Sequence, residues 1–244
     1  MFAKLFGKSG AGTISLPETD LHSHLMPGID DGAKTMEEAI ELILGLKALG
    51  YKKLITTPHI MSHRFPNSSE IILRGLDALR RELEQRRIDI VVEAAAEYYV
   101  DEHFLELLER GDILTFGDNC LLFEFSYIAA PADLDALIFA MQSRGYKPVL
   151  AHPERYGYLQ ERFDRYYELK EAGALFQLNG VSLTGHYANK RVQKTAGKLS
   201  ERGMIDFIGS DAHGMRHVES LKKGVEADLF QSLYRHNSIM NSRL

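Results

Sequence analysis

Two residue pairs with the same spacing stand near opposite ends of the sequence, His22-Ser23-His24 and Asp211-Ala212-His213. Side chains two apart on an extended segment point to the same side, so each pair can offer both of its ligands to one metal ion. A lone His-x-His arises by chance in many chains; two such pairs, each just past an apolar run, are harder to assign to chance. Between them lie Asp31 in Asp30-Asp31-Gly32, His59 after Pro58, Glu97 in Ala-Ala-Ala-Glu-Tyr-Tyr, Glu124 in Leu-Leu-Phe-Glu-Phe, and His152 ahead of Pro153-Glu154-Arg155. Asp-Gly on its own is an ordinary turn leading to a helix cap. Glu97 and Glu124 have small, apolar or aromatic neighbours, so their carboxylates need a cation, either a metal or a salt-bridge partner. Imidazole mixed with carboxylate suits Zn, Fe and Mn better than Mg or Ca. Nine such ligands exceed what one ion needs; with one bridging carboxylate they serve two or three. Arg155, three residues past His152, and Arg216, three past His213, bring planar forks that match phosphate oxygens, or are otherwise surface charges.

The elements around these residues follow a simple rhythm. Short apolar runs end at Ile14–Leu16 leading into Asp20, at Lys53–Thr57, Ile88–Ala95, Leu121–Phe125, Lys147–Ala151, Ala174–Leu178 and Ile205–Ile208, and amphipathic stretches separate them. Thr35 with Glu38, and Asn67 with Glu70, read as capping boxes that open two helices. Asp101 to Gly111 reads as a short helix, and Pro131 as the start of another that Gly145 ends. One helix is expected after Pro153 to about Ala172, one over 187–202, and mostly helix over 218–236. About seven strand-then-helix repeats imply a parallel sheet, and their even tiling favours one closed barrel over an open doubly wound sheet. No GxGxxG follows a strand. Six of the seven strands finish on a His or a carboxylate, and in a parallel barrel those ends share one face. His63, His103, His186, His217 and His236 fit no strand end, and we read His103 and His236 as helix-surface residues.

Composition removes whole classes. There are 29 Lys plus Arg against 34 Asp plus Glu, a net charge of −5, which argues against nucleic-acid binding through a basic surface. One cysteine and ten histidines exclude a disulfide framework and a cysteine-rich zinc cluster. A cysteine-based phosphatase needs Cys-x5-Arg, but the sixth residue after Cys120 is Ser126; a GxSxG elbow is absent too. No stretch reaches about 18 consecutive apolar residues and the N-terminus lacks a secretory apolar run, so the expected location is the cytoplasm. Residues 1–14 are expected to form a flexible extension ahead of a single domain over 15–244.

The set His22-x-His24, Asp31, Pro58-His59, Glu97, Glu124, His152 and Asp211-x-His213 resembles the PHP (polymerase and histidinol phosphatase) superfamily. In detail it resembles the PHP-type protein tyrosine phosphatases encoded with bacterial capsular and exopolysaccharide genes. The stretches that carry the likeness are DLHSHLMPGIDDG, TTPHI, AAEYY, LFEFS, AHPERY and GSDAH, spread over residues 20 to 213. The resemblance implies an α/β fold, a distorted (β/α)7 TIM-like barrel. It implies a first ion on His22, His24, Glu97 and Asp211, a second on Glu97, Glu124 and His152, and a third on Asp31, His59 and His213, with manganese expected ahead of iron or zinc. It makes Arg155 a phosphate-binding residue. The family's second arginine sits in a longer loop than Arg216 does, and its usual Gly-Ala-Glu is Ala95-Ala96-Glu97 here. The implied activity is hydrolysis of phosphotyrosine in protein by a hydroxide held between metal ions, on the C-terminal tail of a bacterial tyrosine kinase of polysaccharide export. The alternatives are a histidinol-phosphate or other small-molecule phosphatase and a non-catalytic metal-binding regulator.

Overall fold

The computed structural model describes residues 16–129, 131–227 and 229–244, and the N-terminal extension expected over 1–14 lies outside them. Nine strands occur among these residues: β1 (Thr19–Leu21), β2 (Lys53–Thr56), β3 (His59–Ile60), β4 (Val91–Ala94), β5 (Glu97–Tyr99), β6 (Cys120–Glu124), β7 (Lys147–Ala151), β8 (Leu175–Asn179) and β9 (Phe207–Gly209). Every pairing is parallel, in the orders β1-β2-β4 and β3-β5-β6-β7-β8-β9. The nine strands trace seven courses. Pro58, which has no N–H for a ladder, separates β2 from β3, and Ala95-Ala96 separates β4 from β5. Both interruptions fall just before a candidate ligand, His59 and Glu97, so the sheet shifts register where it must aim a side chain.

Among the described residues, ten helices lie between or after these strands: α1 (Met36–Ala48), α2 (Ser69–Gln85), α3 (Glu102–Arg110), α4 (Leu134–Ser143), α5 (Gly157–Glu161), α6 (Asp164–Glu171), α7 (Gly180–Leu183), α8 (Lys190–Glu201), α9 (Met215–Glu226) and α10 (Gln231–His236). Their buried faces and the outer face of the sheet form the main core, which includes Ile43, Leu79, Phe104, Phe123, Phe176 and Leu199. A second, smaller cluster (Leu21, Ile55, Leu122, Val149, Ala151 and Phe207 among it) takes alternate residues of the same strands and fills the inside of the curl.

The curl closes between β1 and β9 without a ladder among the described residues. Ser23 and Ala212 make one isolated parallel bridge, with Asp211 N donating to His22 O at 2.7 Å and His24 N to Ala212 O at 3.0 Å. Asp20 accepts the Ser210 N–H (2.8 Å) and hydroxyl (2.7 Å) across the gap. Asn241, fully buried in a 3₁₀ turn over Met240–Arg243, donates to Thr19 O (3.0 Å) and Ile208 O (2.8 Å) and accepts from Ile208 N (3.0 Å). A Cβ on Gly209 would stand 2.1 Å from Leu21 O, so only glycine allows this approach.

The distorted seven-course parallel barrel is the expected architecture; several local boundaries differ. The first strand among the described residues is Thr19–Leu21; of the run expected at Ile14–Leu16, residues 14 and 15 lie outside the described residues. Helix α2 is capped by Ser68, whose hydroxyl accepts from Ile71 N, while the Asn67 side chain is turned to donate its Nδ2 protons to Ile29 O and His59 O. Helix α4 starts at Leu134 with Asp133 as cap rather than at Pro131. The single helix expected after β7 is a 3₁₀ turn at Pro153–Arg155 followed by α5 and α6. Asn189 caps α8 at Lys190, which leaves Tyr187 outside the helix.

Candidate metal centre

The C-terminal strand ends meet in a cavity of about 480 Å³. All nine of the sequence-selected His, Asp and Glu residues fall into four overlapping groups whose ligand atoms lie within 4.8 Å of one another: His22, His24 and Asp211; His22, Glu97 and His152; His59, Glu97 and Glu124; and His24, Asp31, His59 and His213. Glu97 Oε2 is the hub, 3.1 Å from His22 Nε2, 3.5 Å from His24 Nε2 and 3.1 Å from His59 Nδ1. Asp211 Oδ1 lies 3.3 Å from His22 Nε2 and 3.5 Å from His24 Nε2. His152 Nε2 is 2.9 Å from Glu97 Oε1 and 3.8 Å from Glu124 Oε2. Asp31 Oδ1 is 3.5 Å from His59 Nε2 and 3.3 Å from His213 Nε2. His59 thus stands between two groups, one nitrogen toward each.

The local backbone explains how the side chains converge. His22 has φ +77°, His152 +34° and Asp211 +49°, the left-handed region that non-glycine residues seldom adopt. The His-x-His pair is therefore not on extended backbone, and the turn at His22, not strand alternation, brings its ring to 5.4 Å from that of His24. Three residues held in this region at one cavity is the strain expected where geometry serves a site rather than the fold. Thr56 fixes the intervening segment, its hydroxyl donating to Ser23 O and accepting from Leu25 N.

For three of the five histidines a hydrogen bond on the far side of the ring orients the ligand atom. His22 Nδ1 meets Gln177 Oε1 at 2.7 Å, so the amide oxygen accepts its proton and Nε2 is turned toward Glu97 and Asp211. His24 Nδ1 meets Asp30 Oδ2 at 2.8 Å, and His213 Nδ1 meets Asp211 O at 2.9 Å, with the same effect. A carboxylate or carbonyl behind an imidazole is the usual support for a metal-bound histidine. Glycine at 32 is required here, since a Cβ would sit 2.1 Å from His24 O. The resulting inward atoms are orphans: His22 Nε2, His24 Nε2, Asp31 Oδ1, His59 Nδ1 and Glu97 Oε2 are buried with no hydrogen-bond partner. Buried polar atoms without partners are costly; bound divalent cations would satisfy all five, so the residues fit a metal cluster.

The electrostatics agree. Burial works against a charged His22, but Glu97 and Asp211 hold its imidazole up at about 9. Burial likewise opposes ionisation of Glu97, yet His22 and His59 hold its carboxyl well below the usual range, and His22 and His213 do so for Asp211. Asp30, despite burial, is drawn down to about 2 by His24 and the Gly32 N–H. The cavity is built to keep carboxylates ionised beside positive charge.

Arg155 enters the cavity with Nη1 3.1 Å from Asp211 Oδ2 and its guanidinium between the rings of Tyr127 (4.8 Å) and Tyr187 (4.6 Å). Arg216 does not: it is exposed on α9 and does not line the cavity, where Arg64 and His217 appear instead. The His186 ring lies 4.3 Å from that of His217, tilted by 37°, and His63 is exposed. Cys120 is buried at the opposite, N-terminal end of β6, and burial pushes its thiol up to about 11.

Sequence reasoning missed the supports. The one remaining strand end, that of β8, carries amides, not a His or carboxylate: Gln177 binds His22, and Asn179 donates to Asp211 Oδ2 at 2.6 Å. The rule of two residues apart on a strand, applied to Gln177 and Asn179, would have found both. In the sequence Asp30 reads as part of its turn and Tyr187 as the start of a helix; the Tyr187 hydroxyl donates to Asp211 Oδ2 at 3.2 Å.

Comparisons with known proteins agree on one group. Residues 18–235 match the family described as "Capsular polysaccharide synthesis, CpsB/CapC". Tyrosine-protein phosphatase YwqE of Bacillus subtilis (strain 168) is 30% identical over 198 residues, 81% of this chain and 78% of that one. Tyrosine-protein phosphatase CpsB of Streptococcus agalactiae is 28% identical over 201 residues, 80% of this chain and 83% of its own. Crystal structures of YwqE from Bacillus subtilis and CpsB from Streptococcus pneumoniae, metal-dependent tyrosine phosphatases, include a chain that superposes with a TM-score of 0.77 at 27% identity, covering 91% of this chain and 96% of that one.

Proposed function

The chain belongs to the CpsB/CapC family of capsular polysaccharide synthesis, and from that premise we propose that it is a metal-dependent phosphatase that hydrolyses phosphotyrosine in protein. The observation that carries this reading is the set of five orphaned ligand atoms converging beside Arg155. His22, His24, Glu97 and Asp211 would hold a first ion, Glu97, Glu124 and His152 a second, and Asp31, His59 and His213 a third; manganese is the metal this mixed donor set favours in our reading. When bound, such ions lower the pKa of water from 15.7 to about 7 and neutralise charge on phosphate oxygens.

The chain's own groups do the rest. Arg155 spends one N–H on Asp211 and keeps the remainder of its fork for phosphate oxygens, where charge grows as the bond to phosphorus changes. The two tyrosine rings that sandwich it fix the plane of the fork. Phe65, Tyr99 and Ile128 line the cavity, an apolar border suited to an aromatic ring on the substrate. A phenol, with a pKa of about 10, leaves with little help from an acid, so the site needs no strong proton donor. The substrate in this reading is a tyrosine kinase of polysaccharide export, dephosphorylated in the cytoplasm on its C-terminal tail; no helix among the described residues is long and apolar enough to cross a membrane.

The test is steady-state kinetics of the manganese-loaded protein on a phosphotyrosine peptide and on histidinol phosphate in parallel. We expect the higher kcat/KM on the peptide. A preference for histidinol phosphate would overturn the substrate, and full activity of His152→Ala or Glu97→Ala would overturn the metal mechanism.

A further inference from the structure

The cavity contains two guanidiniums, and they occupy matching places. Arg155 Nη1 lies 3.1 Å from Oδ2 of Asp211, at one side of the candidate metal cluster. Arg64 Nη2 lies 3.4 Å from Oδ2 of Asp31, at the other. In both aspartates it is the second oxygen that meets the arginine, while Oδ1 faces histidines of the cluster. Each guanidinium also lies on an aromatic ring, Arg155 between Tyr127 and Tyr187, and Arg64 over Phe65 at 4.9 Å. Among the described residues that line the cavity, no other Arg or Lys is present.

We propose that Arg64 is the second phosphate-binding arginine of this site, closing on the substrate phosphate from the side opposite Arg155; the inference rests on the phosphatase reading above. The loop that carries Arg64 is fixed. Met61 and Phe65 exchange two backbone hydrogen bonds (2.9 and 3.0 Å), Ser62 N donates to Asp101 Oδ2 at 3.0 Å, and Asn67 ties the loop to Ile29 O and His59 O. Phe65 itself stacks on the His59 ring at 5.4 Å, nearly parallel, so the loop is referenced to the cluster. The Arg64 side chain, by contrast, is 65% exposed and holds Asp31 only at 3.4 Å. An exposed pair of this kind is held weakly enough for a dianionic phosphate to draw the fork away. A placed backbone with an uncommitted fork is what gripping an arriving anion requires. Arg216, the residue the sequence favoured for this role, is exposed on α9 outside the cavity.

The experiment compares Arg64→Ala, Arg64→Lys and Arg216→Ala in the full, manganese-loaded chain. Three quantities are read for each: kcat and KM on a phosphotyrosine peptide, the affinity for inorganic phosphate by calorimetry, and bound metal. Losing a charge-assisted bond to phosphate should lower both kcat/KM and phosphate affinity on the order of 10- to 100-fold in Arg64→Ala, with metal content unchanged. Arg64→Lys should recover part of this, because it restores the charge but not the fork. Arg216→Ala should stay within about twofold of the parent, the range of surface substitutions. Phosphate affinity within twofold of the parent in Arg64→Ala would overturn the inference, as would an activity loss that follows metal loss at unchanged phosphate affinity. If the parent hydrolyses no phosphotyrosine substrate, the proposed function fails, and the calorimetric comparison still decides Arg64.

Discussion

Glu97 is buried, touches three imidazoles through one oxygen and a fourth through the other, and has no side-chain alternative to being ionised among them. Replacing it by Ala should abolish both metal retention and activity, measured by metal analysis and phosphatase assay. Asp30 stands one bond further out, behind His24. Asp30→Asn keeps the shape and removes the charge, so metal affinity should fall about 10- to 100-fold while the protein stays folded. The ranking of the two, Glu97 above Asp30, is the result that separates a ligand from its support. Cys120 makes the opposite prediction. Its thiol is held up at about 11 by burial and lies away from the cavity, so alkylation at neutral pH should be slow, speed up as pH rises toward 11, and Cys120→Ala should keep activity within about twofold.

At the scale of elements the decisive piece is the seam between β1 and β9. Asn241 makes three buried hydrogen bonds across it, and removing them in Asn241→Ala leaves Thr19 O and both backbone groups of Ile208 unpaired. A loss on the order of 2–4 kcal/mol in denaturant unfolding is expected. This element was not legible in the sequence, because an amide in a polar tail carries no signal of burial until the strands it joins are in place. The strand–helix rhythm was legible, since period and caps are local: Thr35 and Asp101 cap their helices as read. Boundaries failed where tertiary contacts took over a local signal, as when Ile29 O and His59 O claimed the Asn67 amide. The candidate ligands were legible because they cluster at strand ends. Arg64 was not, since its loop is positioned by Asp101 and Asn67, residues distant from it in function and read only as caps.

For the whole molecule, the seam and the cavity are one feature. His22 and His24 leave one side of it and Asp211 and His213 the other, with hydrogen bonds from Ser210 to the Asp20 carboxylate spanning 190 residues of sequence. Ions held jointly by the two pairs would act as a removable clasp on a ring, and a clasp that closes a long loop suppresses the entropy of opening more than one that closes a short loop. The chelated protein should therefore melt at a lower temperature than the manganese-loaded one, and by mass action the difference should grow with metal concentration. Hydrogen exchange should locate the loss: amides of β1 and β9 should lose protection on chelation well before those of β6 and β7. Metal supply would then set how long the folded chain persists as well as whether it turns over substrate, so that starvation for the ion would shrink the pool of enzyme along with its activity.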